Sequence, residues 1–157
     1  MMTMRRAAVA VSVAVATVVG TGGGAGAVAP EADVAHHGYA TLSGDRLDVL
    51  VLTHNHGPSA LEDVTLRVEV SVPLVSAGRR LPAGCVWGGE RTVLCSTGAL
   101  PADGERRETL LDLRTAGTTH EVTVHVTTAW NGGATDRSPE NDDHRVLVPA
   151  TGDPYVF

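Results

Sequence analysis

Two stretches of the chain alternate strictly between apolar and polar residues. In the first, residues 63–73, aliphatic side chains occupy every second position, namely Val64, Leu66, Val68, Val70 and Val72. Residues 121–128 repeat the pattern with three further valines. Because successive side chains of a strand point to opposite faces, a period of two predicts antiparallel strands with one buried and one solvated face. The alternation therefore favours an all-β fold.

Other strand candidates surround these two. Residues 47–53 are apolar on both faces, as a central strand would be, and shorter candidates are segments 39–43, 91–95, 108–114 and 145–148. Glycine, proline and asparagine separate the segments, and no helical period is evident. Strands at this spacing predict an immunoglobulin-like antiparallel β-sandwich of about seven strands over residues 39–150. Residues 151–157 would follow it as a C-terminal tail.

The first 27 residues have the composition of an export signal. Two arginines, Arg5 and Arg6, precede an uncharged run at 7–19, and residues 25–27 form the small triplet Ala-Gly-Ala. A positive start, a short apolar core and a small-residue exit are typical of a secretory signal peptide. The alternative is a membrane anchor, but a bilayer-spanning helix needs about 20 apolar residues. We expect cleavage after Ala27.

Cleavage at that point predicts where the mature protein resides. Residues 28–38 would be a linker before the first strand, and the protein would be extracellular or in the cell envelope, without stable membrane insertion. The mature chain keeps 10 basic and 18 acidic residues, a net charge of −8. This balance disfavours nucleic acid, whose affinity depends on neutralising phosphates. The expected partner is a protein or an envelope component of unknown identity.

The chain contains two cysteines, Cys85 and Cys95. An even number in an exported chain predicts a disulfide, which would close a short loop and stabilise the fold by roughly 2.5–3 kcal/mol in the chain-entropy view. Free thiols or half of a metal site are the alternatives. A zinc site would need closer spacing and two further ligands nearby.

The order of several short motifs resembles a bacterial conserved-repeat family known as domain of unknown function eleven. The motifs are a threonine followed by N-x-G-P-S at 53–59, a Leu-Pro turn at 81–84, the cysteine pair, Gly-x-Leu-Pro at 98–101, and Asp136 and Pro139 before Asn141. Asp142 stands where the family has a second asparagine, and one copy is present where tandem repeats are common. The resemblance implies an extracellular immunoglobulin-like module and no catalytic residues.

Physical chemistry gives the motif residues structural roles. Asn55 can bond to neighbouring backbone in a tight turn, Gly57 can adopt a positive φ, and Pro58 ends strand pairing because it has no N–H. Asp136 and Asn141 can satisfy backbone donors in the last long loop. We therefore interpret these five residues as architectural.

Three kinds of chemistry compete with that interpretation. His54 and His56 would share one face of a strand, a spacing that zinc or copper can use, and the acidic residues of segment 136–143 offer oxygen ligands for calcium. No serine lies in a G-x-S-x-G elbow, although a hydrolase site assembled in space remains an alternative. We expect no enzyme activity, no metal site and no cofactor.

Four aromatic residues are candidates for partner binding. Trp87 lies between the two cysteines and Trp130 precedes a glycine turn. Tyr155 and Phe157 lie in the tail, which could add a strand to a partner's sheet. Buried tryptophans and a disordered end are the corresponding structural alternatives. The sequence thus predicts a non-catalytic secreted or envelope interaction module, or alternatively a small secreted binder or inhibitor that uses the Trp87 hairpin or the tail.

Overall fold

A computed structural model describes residues 28–157. The predicted signal peptide, residues 1–27, lies outside these described residues. Within residues 28–157 the fold is all-β, and no helix there is long and apolar enough to cross a membrane. The strands in chain order are β1 (Glu31–Ala32), β2 (Val34–Ser43), β3 (Arg46–Asn55), β4 (Thr65–Val70), β5 (Cys85–Gly89), β6 (Thr92–Ser96), β7 (Arg107–Arg114), β8 (Glu121–Trp130), β9 (Thr135–Asp136), β10 (Asp143–Pro149) and β11 (Tyr155–Val156), with a short 3₁₀ helix at Pro139–Asn141.

The strands form two antiparallel sheets that pack face to face. The order is β11-β2-β3-β7 in the four-stranded sheet and β10-β8-β4-β6-β5 in the five-stranded sheet. The series β2-β3-β7 and β10-β8-β4 correspond to the A-B-E and G-F-C orders of an immunoglobulin core. A separate parallel pair, β1 with β9, closes one end. The predicted immunoglobulin-like β-sandwich is confirmed, with additional short strands at its margins.

The core is built from the inward halves of the alternating strands. On β4, Leu66, Val68 and Val70 are buried while the residues between them are not, and β8 repeats this with its valines. These side chains meet the inward residues of β3 from the opposite sheet. Full burial of such an aliphatic side chain stabilises the fold by about 1.5–3 kcal/mol. The apolar positions of the alternating sequence are therefore the positions that form the core.

The predicted disulfide is also confirmed. Cys85 on β5 lies directly opposite Cys95 on β6, and the two residues are bonded. Cys95 is buried in the core, whereas Cys85 is only partly covered. The bond thus ties β5, the outermost strand of the five-stranded sheet, to the neighbouring strand β6.

The structure differs from the predicted boundaries at both ends of the domain. The segment 28–38, expected to be a linker, contains β1 and the first five residues of β2, and Ala32 and Val34 are fully buried. This stretch lacks apolar alternation, because alanine, glycine and histidine occupy it; its pairing with β3 makes it a strand. The segment 151–157, expected to be a tail, contains β11, which pairs with β2.

Candidate functional site

Asn55 lies at the closed end of the sandwich and is fully buried. Its side-chain oxygen accepts hydrogen bonds from the backbone N–H groups of Asp33 (3.2 Å) and Gly57 (3.0 Å), and its amide nitrogen donates to the carbonyl of Ser59 (2.8 Å). A buried amide with its donors and acceptors used is stable, whereas an unpaired one is costly. Asn55 therefore holds the loop after β3 against the first residues of the domain.

Gly57 is required by a close approach of two backbones. A Cβ atom at this position would lie 2.5 Å from the Cα of Ala32 on β1. The expected positive φ is wrong, since Gly57 is not among the residues with that conformation. The backbone of β1 occupies the space that a side chain would need, and the adjoining Pro58 remains exposed.

Asp136 and Asn141 bind the same N-terminal segment from the other side. One carboxylate oxygen of Asp136 accepts from the N–H of Val34 (3.0 Å), and the other accepts from the N–H of Ser138 (2.9 Å). The amide nitrogen of Asn141 donates to the carboxylate of Asp33 (2.8 Å). Four of the five motif residues thus surround β1 and the start of β2, a long-range arrangement that their sequence positions did not indicate.

His36 is a buried polar residue in the segment that was expected to be a linker. Its Nδ1 lies 3.0 Å from the hydroxyl of Thr53 and its Nε2 lies 2.9 Å from the hydroxyl of Thr128, so both ring nitrogens are satisfied. The pKa of His36 is lowered from 6.5 to about 3. Burial is the main cause, and the nearby His144 and His37 act in the same direction. The ring is therefore neutral at physiological pH and acts as a polar element of the core.

The carboxylate of Asp142 is influenced by the side chain of Thr128, whose hydroxyl also contacts Nε2 of His36. Burial is the main cause that raises the pKa of Asp142, and Asp136 and Asp143 act in the same direction. The Thr128 hydrogen bond and His144 oppose this rise. His36, Thr128 and Asp142 thus form a polar group at one end of the sandwich. Neither of the two clefts described for residues 28–157 is lined by these residues.

The histidine pair that was weighed as an alternative metal site lies at the rim of this end. The rings of His54 and His56 meet edge to face with centroids 4.1 Å apart, and Nε2 of His54 hydrogen-bonds to the carbonyl oxygen of Gly104. In the part of the chain that the structure describes, no three histidine, cysteine or acidic side chains are grouped as metal ligands. In the acidic loop, Asp143 pairs instead with His125 (2.8 Å).

The two tryptophans have different environments. Trp87 is partly buried, packs against the core from β5, and lines a cleft with Glu90 and the loop that follows β4. Trp130, at the end of β8, is 52% exposed. One part of the Trp87 side chain therefore packs inward, and another part forms the wall of an open cleft. Its role in recognition stays a prediction.

The tail is not a free strand in this structure. The backbone of Phe157 exchanges two hydrogen bonds with Gly38, both 3.1 Å long, and Tyr155 and Phe157 pack against the core. A side chain at position 38 would collide with the carbonyl of Leu50, so the glycine permits the close approach. The tail thus adds a strand to the edge of its own sheet, and Val156 between the two aromatics points outward with 76% exposure.

Four apolar side chains cross the outer face of the four-stranded sheet in one line. The register pairs Val156 with Tyr39, Tyr39 with Leu50, and Leu50 with Leu110, which makes one residue from each strand. Leu110 is 55% exposed and Tyr39 is 37% exposed, and Leu50 between them is half-buried. We call these four residues the apolar row. Single positions in four separated segments gave no signal in the sequence, because only the strand register brings them together.

Comparison of the chain with known protein families, with curated proteins and with solved structures found no match. The described geometry defines the class of molecule, an immunoglobulin-like antiparallel β-sandwich with one disulfide. Membership of the conserved-repeat family stays a prediction from the motifs.

Proposed function

We propose that this protein is a non-catalytic interaction module of the extracellular space or the cell envelope, and that the apolar row is its contact surface. The row places three exposed side chains and the half-buried Leu50 side by side across a whole sheet face. Scattered apolar residues are normal on a surface, whereas a contiguous patch is characteristic of an interaction site. The row is the observation on which the proposal rests.

The surroundings of the row support this role. The next cross-strand position along the sheet carries Asp48 and Asp112, which form ion pairs with Arg46 (3.1 Å to Asp48) and Arg79 (3.3 Å to Asp112). Protein interfaces commonly have an apolar centre and a polar rim. Because these charges are paired, the rim contributes specificity without a large uncompensated electrostatic field.

The use of polar side chains at the closed end is consistent with a non-catalytic role. Asn55, Asp136 and Asn141 bond to the N-terminal strands, and His36 bonds to two threonines inside the sandwich. A general base must reach a substrate proton within hydrogen-bond distance. The hydrogen bonds that these groups make instead hold the fold together. The disulfide and the predicted signal peptide favour an oxidising, extracellular location.

A crosslinking pull-down from envelope and culture supernatant tests the proposal. The bait is the mature protein, compared with a Leu110→Ser variant and a Leu147→Ser variant. Leu147 is the matched control, because it is 52% exposed on the five-stranded sheet, away from the row. We expect a partner that is retained by the control and lost by Leu110→Ser. A partner held equally by all three proteins, or no partner, would contradict the proposed surface.

A further inference from the structure

A second surface with specific chemistry lies at the opposite edge of the sandwich. A cleft of about 520 Å³ separates the loop after β4, represented by Pro73 and Leu74, from the end of β5 and the turn that follows it, represented by Trp87, Gly89 and Glu90. The apolar row shares no residue with it. The cleft therefore offers a binding site independent of the row.

The two walls of the cleft are fixed by backbone hydrogen bonds. The N–H of Leu74 donates to the carbonyl of Glu90 (2.7 Å), which joins one wall to the other. The N–H of Val75 donates to the carbonyl of Arg114 (2.8 Å), which anchors the loop to β7. Trp87 packs against the core. A preformed cleft loses little conformational entropy when a ligand enters it.

The cleft combines an aromatic side chain with a carboxylate. Glu90 is exposed, and its carboxylate has no ion-pair partner among residues 28–157. Arg91, the next residue along the chain, lines a different cleft with Glu69 and His125. A tryptophan face attracts cations, guanidinium groups in particular, and a free carboxylate pairs with guanidinium in a bidentate manner. An apolar ligand would instead leave the carboxylate desolvated and unpaired.

The strand that carries Trp87 is an edge strand. β5 is the last member of the order β10-β8-β4-β6-β5, so its outer side has no neighbouring strand among the described residues. An edge of this kind can accept an extended segment through main-chain hydrogen bonds, while an adjacent pocket selects a side chain. The net charge of the chain, −6, favours approach of a positively charged partner.

From these features we infer that the cleft binds an arginine side chain presented by an extended partner segment that pairs with the free edge of β5. The inference rests on the proposed role as an interaction module but uses a different surface and names the chemistry of the partner. The Trp87 face covers the guanidinium group, Glu90 neutralises it, and β5 aligns the backbone of the segment.

A peptide titration tests this inference on the mature protein. The probe is a capped peptide of alternating threonine and valine with one central arginine, and its control carries citrulline, the uncharged isostere, at that position. Binding is followed by the NMR signal of the Trp87 indole N–H. We expect the arginine peptide to shift this signal and to bind about fivefold more tightly than the citrulline peptide, the scale of one exposed charge pair.

Two glutamate variants locate the effect. Glu90→Gln should weaken binding of the arginine peptide about fivefold, whereas Glu121→Gln, an equal change of charge at an exposed position outside the cleft, should leave it unchanged. Equal affinity for both peptides, equal weakening in both variants, or no binding would overturn the inference. Leu110→Ser should bind the peptide normally, so failure of this test and failure of the apolar-row proposal are separate results.

Discussion

At the residue scale, the closed end of the sandwich depends on small groups in exact steric and hydrogen-bonding positions. Asn55 and Asp136 each bond to the backbone of the N-terminal segment, and Gly57 leaves room for that segment to pass. None of these contacts is local in sequence. The motif residues therefore matter because they fix where the first strand enters the fold.

Gly57→Ala should destabilise the protein by about 1–3 kcal/mol, because the added methyl group would overlap the backbone of Ala32. Pro58→Ala is the matched control at the adjacent exposed residue, and its effect should stay within about 0.5 kcal/mol. Urea unfolding monitored by tryptophan fluorescence measures both. A Gly57→Ala protein as stable as the control would show that β1 is not packed against this turn.

The depressed pKa of His36 predicts a dependence of stability on pH. The folded pKa is about 3 and the unfolded value is 6.5, so between these values the unfolded chain binds a proton that the folded chain excludes. The stabilising contribution of the neutral ring is therefore fully present above about pH 6.5 and is lost as the pH falls towards 3. From pH 7 to pH 5 the loss amounts to about 2 kcal/mol.

A His36→Gln variant isolates this effect, because glutamine keeps a donor and an acceptor but does not titrate. The variant should be less stable than the parent at pH 7, and the difference in unfolding free energy should shrink by about 2 kcal/mol at pH 5. Urea unfolding at the two pH values provides the measurement. Parallel pH dependence of parent and variant would mean that His36 is accessible to protons in the folded state.

At the element scale, the short strands at the margins complete the two sheets. β11 covers part of the outer edge of β2, and β1 with β9 closes one end. The opposite edge strand, β7, carries features that oppose strand-to-strand association. An antiparallel second copy centred on Leu110 would place Glu108 opposite Asp112, two like charges, and Val75 already bonds to the end of the strand. Natural edge strands are commonly protected in this way.

Removal of residues 155–157 should lower the unfolding free energy by about 2 kcal/mol or more, because two partly buried aromatics and the Phe157–Gly38 hydrogen bonds are lost. Val156→Ser is the control within the same segment, since its side chain is exposed, and it should change stability by less than about 0.5 kcal/mol. Thermal and urea unfolding report the difference. Equal stability of the truncated protein would indicate that β11 is not docked in solution.

The parts of the fold that could be predicted are those in which side-chain pattern and tertiary environment agree. β4 and β8 alternate between apolar and polar residues because one of their faces is buried, so their positions follow from the sequence. β5 ends in Gly88 and Gly89, and β1, β9 and β11 are two residues long. These strands exist through pairing with distant segments, which a local pattern does not contain. The apolar row and the Trp87 cleft depend on that same register and could not be derived without it.

At the scale of the whole molecule, the two sheets present two chemically different surfaces. The outer face of the four-stranded sheet carries the apolar row, and the far edge of the five-stranded sheet carries the Trp87 cleft with its free carboxylate. The disulfide lies in the same hairpin as Trp87, between β5 and β6. This separation of two surfaces on one sandwich is consistent with the proposed interaction module.

The most direct test of the central claim, that the apolar row contacts a partner, is site-specific photocrosslinking in the cells that produce the protein. A photoreactive side chain replaces Leu110 in one variant and Leu147 in another, so that two positions of similar exposure on opposite sheets are compared. We expect a discrete crosslinked adduct from position 110 and none from position 147. Adducts of equal yield from both positions, or none from position 110, would contradict the claim.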